Sequence, residues 1–584
     1  MSSGTALLPK TGHDSVTVVP ERSRDWSVAA AFTVLAVAVM HNQWQHLGDG
    51  YLRNSGQDQT MWEWFFAVAA HSVTHLDNPV FSNLQNTPLG VNLMANTAML
   101  GLSIPLAPIT LLFGPTATFT LALTLGLATT AFGWYFLFSR TVVQSRVAAA
   151  LGGLLCGFGP GMISHANAHP NFVFLGVLPL ITLLLVRITQ GLRIKRNAVF
   201  VGLLTAWQVM MGEEPLLIFA ITLAVFGVVF YLGHPRAIVP AMRRLIPAGL
   251  VAAVITAALI AVPLWWQFYG PQSYKFLDHN LRANDLKSIT SLPPQSLGGR
   301  IWPGPDYSIN LTEQNAYFGV PLLVLSAVCA VYLWRSSAAR AATITALVVG
   351  VLSLGPVLTV DGVATDVTLP GKKLHTYPLL ESVLETRYAL AAVPVLALLV
   401  ALATDRVLRR GAASKALWTV ALLVALVPLV PVPPPVAAKD PAPAFFADGA
   451  WRDYVSDGSV VTVPLPGTSD ASPLRWQYES NFDFPIAAGY FVGPGAKDPE
   501  EAKYGAVDRQ TAILLGGVAD SGDVVAPTPE QMATARTDLE FWNADVVVLP
   551  PGKNVGALRE TLNDLLGFAG AHVDGSWVWD VRGR

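Results

Sequence analysis

The titratable side chains Asp49, Asp58, Glu63, His71, His75 and Asp77 fall in one polar, aromatic-rich stretch, residues 41–92, with apolar sequence on both sides. Carboxylates and imidazoles held at a membrane surface can take a proton from a hydroxyl or ligate a divalent cation. Asp58 lies in GQDQTMWEWFF, whose aromatic residues suit the headgroup level of a bilayer. Three roles stand for it: general base, metal ligand, or an acid in the first turn of a helix. Asp49, in HLGDGY, is the competing choice and also fits a plain turn.

Further candidates lie between the apolar runs. His165 and His169, in SHANAHPNF, are four apart and share a face if helical, although Pro170 weighs against helix at 169. They suit contact with phosphate or sugar more than a metal site of their own. Glu213 and Glu214, in GEEPLL, are either a solvated turn or acids facing a polar cavity. Consecutive helical residues point about 100° apart, so Glu214 alone is expected to face the cavity. Glu313 and Tyr317, in TEQNAYFGVPLL, stand at the mouth of one span, and Arg387, in ETRYALA, at the mouth of another. A guanidinium there suits a phosphate, or else pairs with Glu381 or Glu385. If a metal binds, Asp58, Glu214 and His165 are its candidate ligands and Mg²⁺ or Mn²⁺ the candidate ions. No GxSxG, HExxH, Walker or CxxC string occurs, which argues against serine hydrolases, zincins and ATPases.

These residues are positioned by a strongly apolar chain. Of 584 residues, 52% are hydrophobic and 13% charged, against about 25% charged in soluble domains. Apolar runs recur near 27–41, 93–113, 116–138, 147–163, 172–187, 197–212, 215–232, 246–265, 316–334, 342–360, 386–404 and 416–432. The class is a polytopic α-helical membrane protein of roughly 11–13 spans. The net charge of −2 argues against a nucleic-acid partner. Cys156 and Cys329 sit in apolar runs and form no disulfide framework.

The first apolar run has no small-residue cleavage site and reads as a retained anchor. Arg22 and Arg24 place segment 1–26 in the cytoplasm. The clusters at Arg140/Arg146, Arg187/Arg193/Lys195/Arg196, Arg236/Arg243/Arg244, Arg335/Arg340 and Arg406/Arg409/Arg410/Lys415 join it there if run 93–113 does not cross. Its ending, PLAPITLLFGP, suits a broken or re-entrant path. All candidate loops then share the outer face of a plasma-membrane protein. Beyond the membrane part, 27–432, a Pro-rich linker at 433–444 reads as a stiff spacer. Residues 445–584 read as an extracytoplasmic α/β domain. Its expected strands are 459–465, 544–551 and 577–581, and its expected helices 528–542, capped by Thr528, and 554–566.

The layout resembles the GT-C class of integral-membrane glycosyltransferases. One span precedes a long outward loop with an early acid, then come many spans and a soluble tail. The strings QDQTMWEWF, NPVFSNLQNTPLGVNLMANT, GFGPGMISHANAHPNF, GEEPLL, TEQNAYFGVPLL and ETRYALA look like an uncharacterised actinobacterial subgroup of such proteins. The resemblance implies a polyprenyl-phosphate sugar donor entering from the bilayer, a glycan or glycolipid acceptor, and a role in building the cell envelope. It implies a catalytic acid at Asp58, or alternatively Asp49, with Arg387, His165 and His169 toward the donor phosphate and Glu214 orienting donor or metal. The first loop has no acidic pair and the tail no WWDYG-like string, which argues against an oligosaccharyltransferase. A catalytically inactive assembly partner and a transporter of lipid-linked precursors are the alternatives.

Overall fold

The computed structural model describes residues 25–279 and 282–583. Residues 1–24, with Arg22, Arg24 and most of the segment expected in the cytoplasm, lie outside the described residues. Seven helices among these are long and apolar enough to cross a membrane, and shorter apolar helices at Arg146–Phe158, Gly319–Tyr332 and Ser337–Leu352 pack with them. Side chains such as Val228, Leu232, Leu250, Val254 and Val262 stay exposed on these helices, as lipid-facing positions must.

Run 93–113 divides into two short helices, Leu100–Ser103 and Ala107–Phe113. Neither spans a bilayer. Gly114 (φ 83°) closes the second one before helix Pro115–Thr141 begins. One expected span is corrected. Run 342–360 stops as a helix at Leu352, where Gly355 (φ 70°) precedes Pro356. Val357–Val360 and Val363–Thr368 then pair as a hairpin around Asp361 (φ 57°) and Gly362 (φ 78°). This Asp-Gly turn with flanking β-branched residues is a hairpin signal that hydropathy conceals. Run 246–265 is the inner part of a 35-residue helix, Pro235–Tyr269, which keeps Pro240, Pro247 and Pro263 inside it.

The helix ends define two faces. On one, Asp25 accepts from Tyr135 Oη at 2.6 Å and pairs with Arg140 and Arg146. Asp405 accepts the backbone N–H groups of Gln144 and Ser145 at 3.0 and 2.6 Å on the same face. At the other end of helix Pro115–Thr141, Trp44 Nε1 donates to Thr124 and Lys439 to Thr116. The candidate loops and the tail gather on this second face.

The tail contains a four-stranded sheet in the order 571–573, 576–580, 544–549, 459–462, with 544–549 parallel to 459–462 and antiparallel to 576–580. Helices Gln510–Ser521, Pro529–Phe541 and Val555–Leu566 complete it. Thr528 caps the second of these in a reciprocal capping box with Gln531. The tail has its own core around Val461, Leu515, Trp542, Val547 and Trp579.

The first part of the tail instead shares the core of the membrane part, through Phe445, Phe446, Trp451 and Phe484. Trp64 Nε1 donates to Gln477 Oε1 (2.8 Å), and Tyr478 Oη to the buried carboxylate of Glu63 (2.7 Å). The Pro-rich stretch is not a free spacer. Val436–Ala438 pairs antiparallel with Gly50–Leu52, because the loop offers an unpaired strand edge directly above the helices.

Candidate active site at the helix ends

Asp58 opens helix Asp58–His75, where an acid complements the helix dipole. Its two oxygens are used differently. Oδ1 accepts from Tyr490 Oη at 2.6 Å, and Oδ2 lies 3.4 Å from His169 Nε2. His169 faces Glu313 through its other ring nitrogen, at 3.6 Å. Pro170 does not separate the two histidines. His169 itself is non-helical (φ −116°, ψ 78°), as expected before Pro170, but its N–H donates to His165 O (2.8 Å), and this turn brings the rings together, Nδ1 to Nδ1 at 2.9 Å. His165 stacks on Phe172 with ring centroids 4.9 Å apart.

Glu313 is fully enclosed. Arg387 holds it through Nε (3.1 and 3.3 Å) and Nη2 (2.5 Å), and Asn315 Nδ2 donates to it at 2.8 Å. Arg387 also pairs with Glu214 through Nη1 and lies 4.4 Å above the Phe172 ring. Glu214 is fixed by the backbone N–H of Leu384 (3.0 Å). The expected carboxylate partners of Arg387, Glu381 or Glu385, are thus replaced by Glu214 and Glu313. Its fork joins a carboxylate at the start of helix Glu213–Leu232 to one in the loop before helix Gly319–Tyr332.

A ladder of carboxamides braces the histidine turn. Asn54 Nδ2 donates to Asn167 (3.3 Å), Asn167 Nδ2 to Gln295 (2.5 Å), Gln295 Nε2 to Gln314 (3.4 Å), and Gln314 Nε2 to Asp306 (3.1 Å). Tyr317 belongs to this ladder rather than to the acidic cluster, for its hydroxyl donates to Asp306 at 2.6 Å. Asp49 lies apart on the surface, 3.2 Å from His46 and with its side chain 78% exposed. Glu213 turns away from Glu214 and accepts from Gln267 Nε2 at 3.3 Å.

Burial, opposed mainly by Glu313, pushes the His165 imidazole down to about 3, so it is neutral at pH 7. Burial acts to raise Glu313, but Arg387, His165 and His169 outweigh it and hold its carboxyl well below the usual carboxylate range. His165, His169 and Glu313 each offer one ligand atom within 4.8 Å of the others. His165 Nε2 is buried without a hydrogen-bond partner. A neutral imidazole, an ionised carboxylate and an orphaned ring nitrogen suit a divalent cation. Three carboxylates, Asp58, Glu214 and Glu313, against one guanidinium also leave negative charge for such an ion to offset.

Sequence reasoning missed Tyr490. It lies 432 residues from Asp58 in the chain, and nothing in its local string marks it. Its loop is latched to loop 41–92 by Asn86 N–H to Ala488 O (2.7 Å) and Ile486 N–H to Leu84 O (3.0 Å). Tyr490→Phe is expected to loosen this roof by about 1 kcal/mol, the net value of an ordinary hydrogen bond, because Asp58 retains some contact with water. Limited proteolysis of the 485–505 segment should accelerate about fivefold.

The fold and site together define a multi-pass α-helical membrane protein with an α/β tail roofing an acidic, histidine-bearing cluster. The chain belongs to the family described as "6-pyruvoyl-tetrahydropterin synthase related domain; membrane protein", whose model matches residues 104–432. No curated protein matches the chain. Among solved structures it is similar to the archaeal oligosaccharyltransferase AglB from Archaeoglobus fulgidus in complex with an inhibitory peptide and a dolichol-phosphate. That match has 14% identity and TM-score 0.49, covering 90% of this chain and 69% of that one. It is also similar to the A. fulgidus oligosaccharyltransferase in complex with Zn and sulfate, at 13% identity and TM-score 0.47, covering 90% and 68%.

Proposed function

We propose that the protein is a membrane glycosyltransferase that moves a sugar from a polyprenyl-phosphate donor to a glycan or lipid hydroxyl. The observation that carries this reading is the cluster itself. A carboxylate, Asp58, lies beside a cation-fitting set, His165, His169 and Glu313, where helix ends meet a soluble domain.

In the reaction, the acceptor oxygen forms a bond to the anomeric carbon while the bond from that carbon to the phosphate oxygen breaks. Asp58 Oδ2 takes the acceptor proton, and polyprenyl phosphate departs with the bonding electrons. A cation on the His165–His169–Glu313 set would supply charge neutralisation at that phosphate. Two imidazole ligands favour Mn²⁺ over Mg²⁺. Arg387 positions Glu313 and Glu214, and the tail orients Asp58 through Tyr490. The basic clusters lie on the face opposite the site, so the positive-inside rule puts that face in the cytoplasm. The site and tail are then extracytoplasmic on the plasma membrane, the compartment of envelope glycans.

The test uses the full chain purified in detergent. Mn²⁺ binding is followed by electron paramagnetic resonance, and release of polyprenyl phosphate from a panel of polyprenyl-phosphate hexoses and pentoses by mass spectrometry. At least one sugar lipid should turn over, EDTA should lower the rate at least about tenfold, and His165→Ala should abolish Mn²⁺ binding. No turnover of any sugar lipid, together with no Mn²⁺ bound, defeats the reading.

A further inference from the structure

Away from the acidic cluster, the first part of the tail carries an open cavity of about 90 Å³ that takes no part in the chemistry above. One buried water needs roughly 15 Å³, so the cavity has room for several waters or one sugar ring. It is lined by Phe446, Arg452, Trp476, Glu479, Ser480 and Asn481. The apolar part of the lining is aromatic. Phe446 and Trp476 stack with ring centroids 5.1 Å apart, and Trp476 Nε1 is buried without an acceptor. The polar part meets water, for the side chains of Arg452 and Glu479 are 59% and 43% exposed. The side chains of Ser480 and Asn481 make no hydrogen bond among the described residues.

The turn that presents Asn481 is fixed from both sides. Asn481 (φ 56°) and Phe482 (φ 62°) follow helix Ser472–Glu479 in the left-handed region, which an aromatic residue rarely adopts. Such a conformation persists where surrounding contacts over-determine it. The Phe482 ring meets Trp64 and His71 edge-on, with centroids 6.0 and 5.2 Å away, and its N–H donates to Gln477 O (3.0 Å). These contacts pin the cavity to helix Asp58–His75, which begins at the candidate base. At the standard rise, His71 lies about 20 Å along that helix from Asp58, a span of several sugar units.

The lining selects a class of ligand. An anion would meet Glu479 and also Asp483, which faces Arg452 at 3.7 Å. A cation would meet Arg452. A wholly apolar ligand would strip water from these groups without replacing its hydrogen bonds. A sugar ring fits both parts of the lining. Its C–H faces suit the aromatic pair, and its hydroxyl groups, which donate and accept, suit Asn481, Ser480, Glu479 and Arg452.

We propose that this cavity binds one sugar unit of a glycan acceptor, several units away from the hydroxyl that receives the transfer. The inference rests on the glycosyltransferase reading and narrows its substrate: the acceptor is an uncharged oligosaccharide held at two points, not a lone lipid hydroxyl.

The test is isothermal titration calorimetry on the full chain in detergent. The probes are mannohexaose, arabinohexaose and xylohexaose, with hexaglycine as the peptide control. The wild type should bind at least one of the sugars about tenfold more tightly than hexaglycine. Asn481→Ala and Glu479→Gln should each weaken that binding about fivefold, the size of one hydrogen bond. Both side chains are exposed, so both variants should keep the wild-type unfolding midpoint. Three results overturn the cavity: no sugar bound by the wild type, sugar binding kept in both variants, or hexaglycine bound as tightly as the best sugar. Turnover of the sugar lipids is measured on the same preparation. Turnover without variant-sensitive oligosaccharide binding removes the cavity and leaves the glycosyltransferase. Variant-sensitive binding without turnover of any sugar lipid removes the glycosyltransferase reading, and the acceptor role of the cavity falls with it.

Discussion

Asp58→Asn should lower sugar transfer by about 10²- to 10⁴-fold, the usual contribution of a positioned general base, without loosening the tail. The reasoning separates the two oxygens of the carboxylate. The carboxamide of the variant keeps an oxygen to accept from Tyr490, which donates to Oδ1 in the native site at 2.6 Å. It loses the charge that faces His169 at 3.4 Å. Binding of decaprenyl phosphate and protease resistance of segment 485–505 should therefore match the wild type while turnover collapses. Asp49→Asn serves as the comparison, because Asp49 is exposed and pairs only with His46 on the surface; it should retain full turnover. Full turnover by Asp58→Asn would remove Asp58 from the chemistry.

Arg387→Met should destabilise the membrane part by about 3–5 kcal/mol, the range for breaking a buried ion pair and stranding its partner. Arg387 is the shared cation of Glu313 and Glu214, and it packs on Phe172, which in turn stacks on His165. Its loss frees two buried carboxylates to repel each other and removes the support of a candidate metal ligand. Thermal unfolding in detergent should shift strongly downward, and Mn²⁺ should raise the midpoint of the variant more than that of the wild type. Adding Glu214→Gln should recover part of the loss, since one stranded charge is then neutral. A single variant as stable as the wild type would show that the network carries no stability.

How much of this was legible beforehand depends on the range of the signal. Hydropathy located the helices, because burial in lipid requires long apolar runs whatever their neighbours do. It overran at 342–360, where Val357–Val360 prolongs the apolar run past the helix end at Leu352 but belongs to a hairpin that turns at Asp361-Gly362. The broken path of 93–113 was legible from Pro and Gly punctuation and from the charge bias of the loops. Tail elements followed local rules, and the Thr528 cap was readable from its own four residues. His165 and His169 were readable as a pair at helical spacing. Pro170 keeps His169 out of the helix, as the preference before proline predicts, and that its N–H would still bond to His165 O and bring the rings together was not readable from spacing.

Local pattern alone determined that this is a multi-pass membrane protein with an α/β tail, and it picked out Asp58, His165, His169, Glu214, Glu313 and Arg387 as candidate site residues. Which of them meet was decided only by tertiary structure. Packing placed Arg387 between Glu214 and Glu313, sent Glu213 and Tyr317 to different neighbours, and left Asp49 on the surface. It also brought Tyr490 across 432 residues to Asp58. The physical reason is that propensity and hydropathy act within a turn or a span. Ion pairs and roof contacts join chain segments whose separation carries no periodic signal, and only the burial of their shared core selects them.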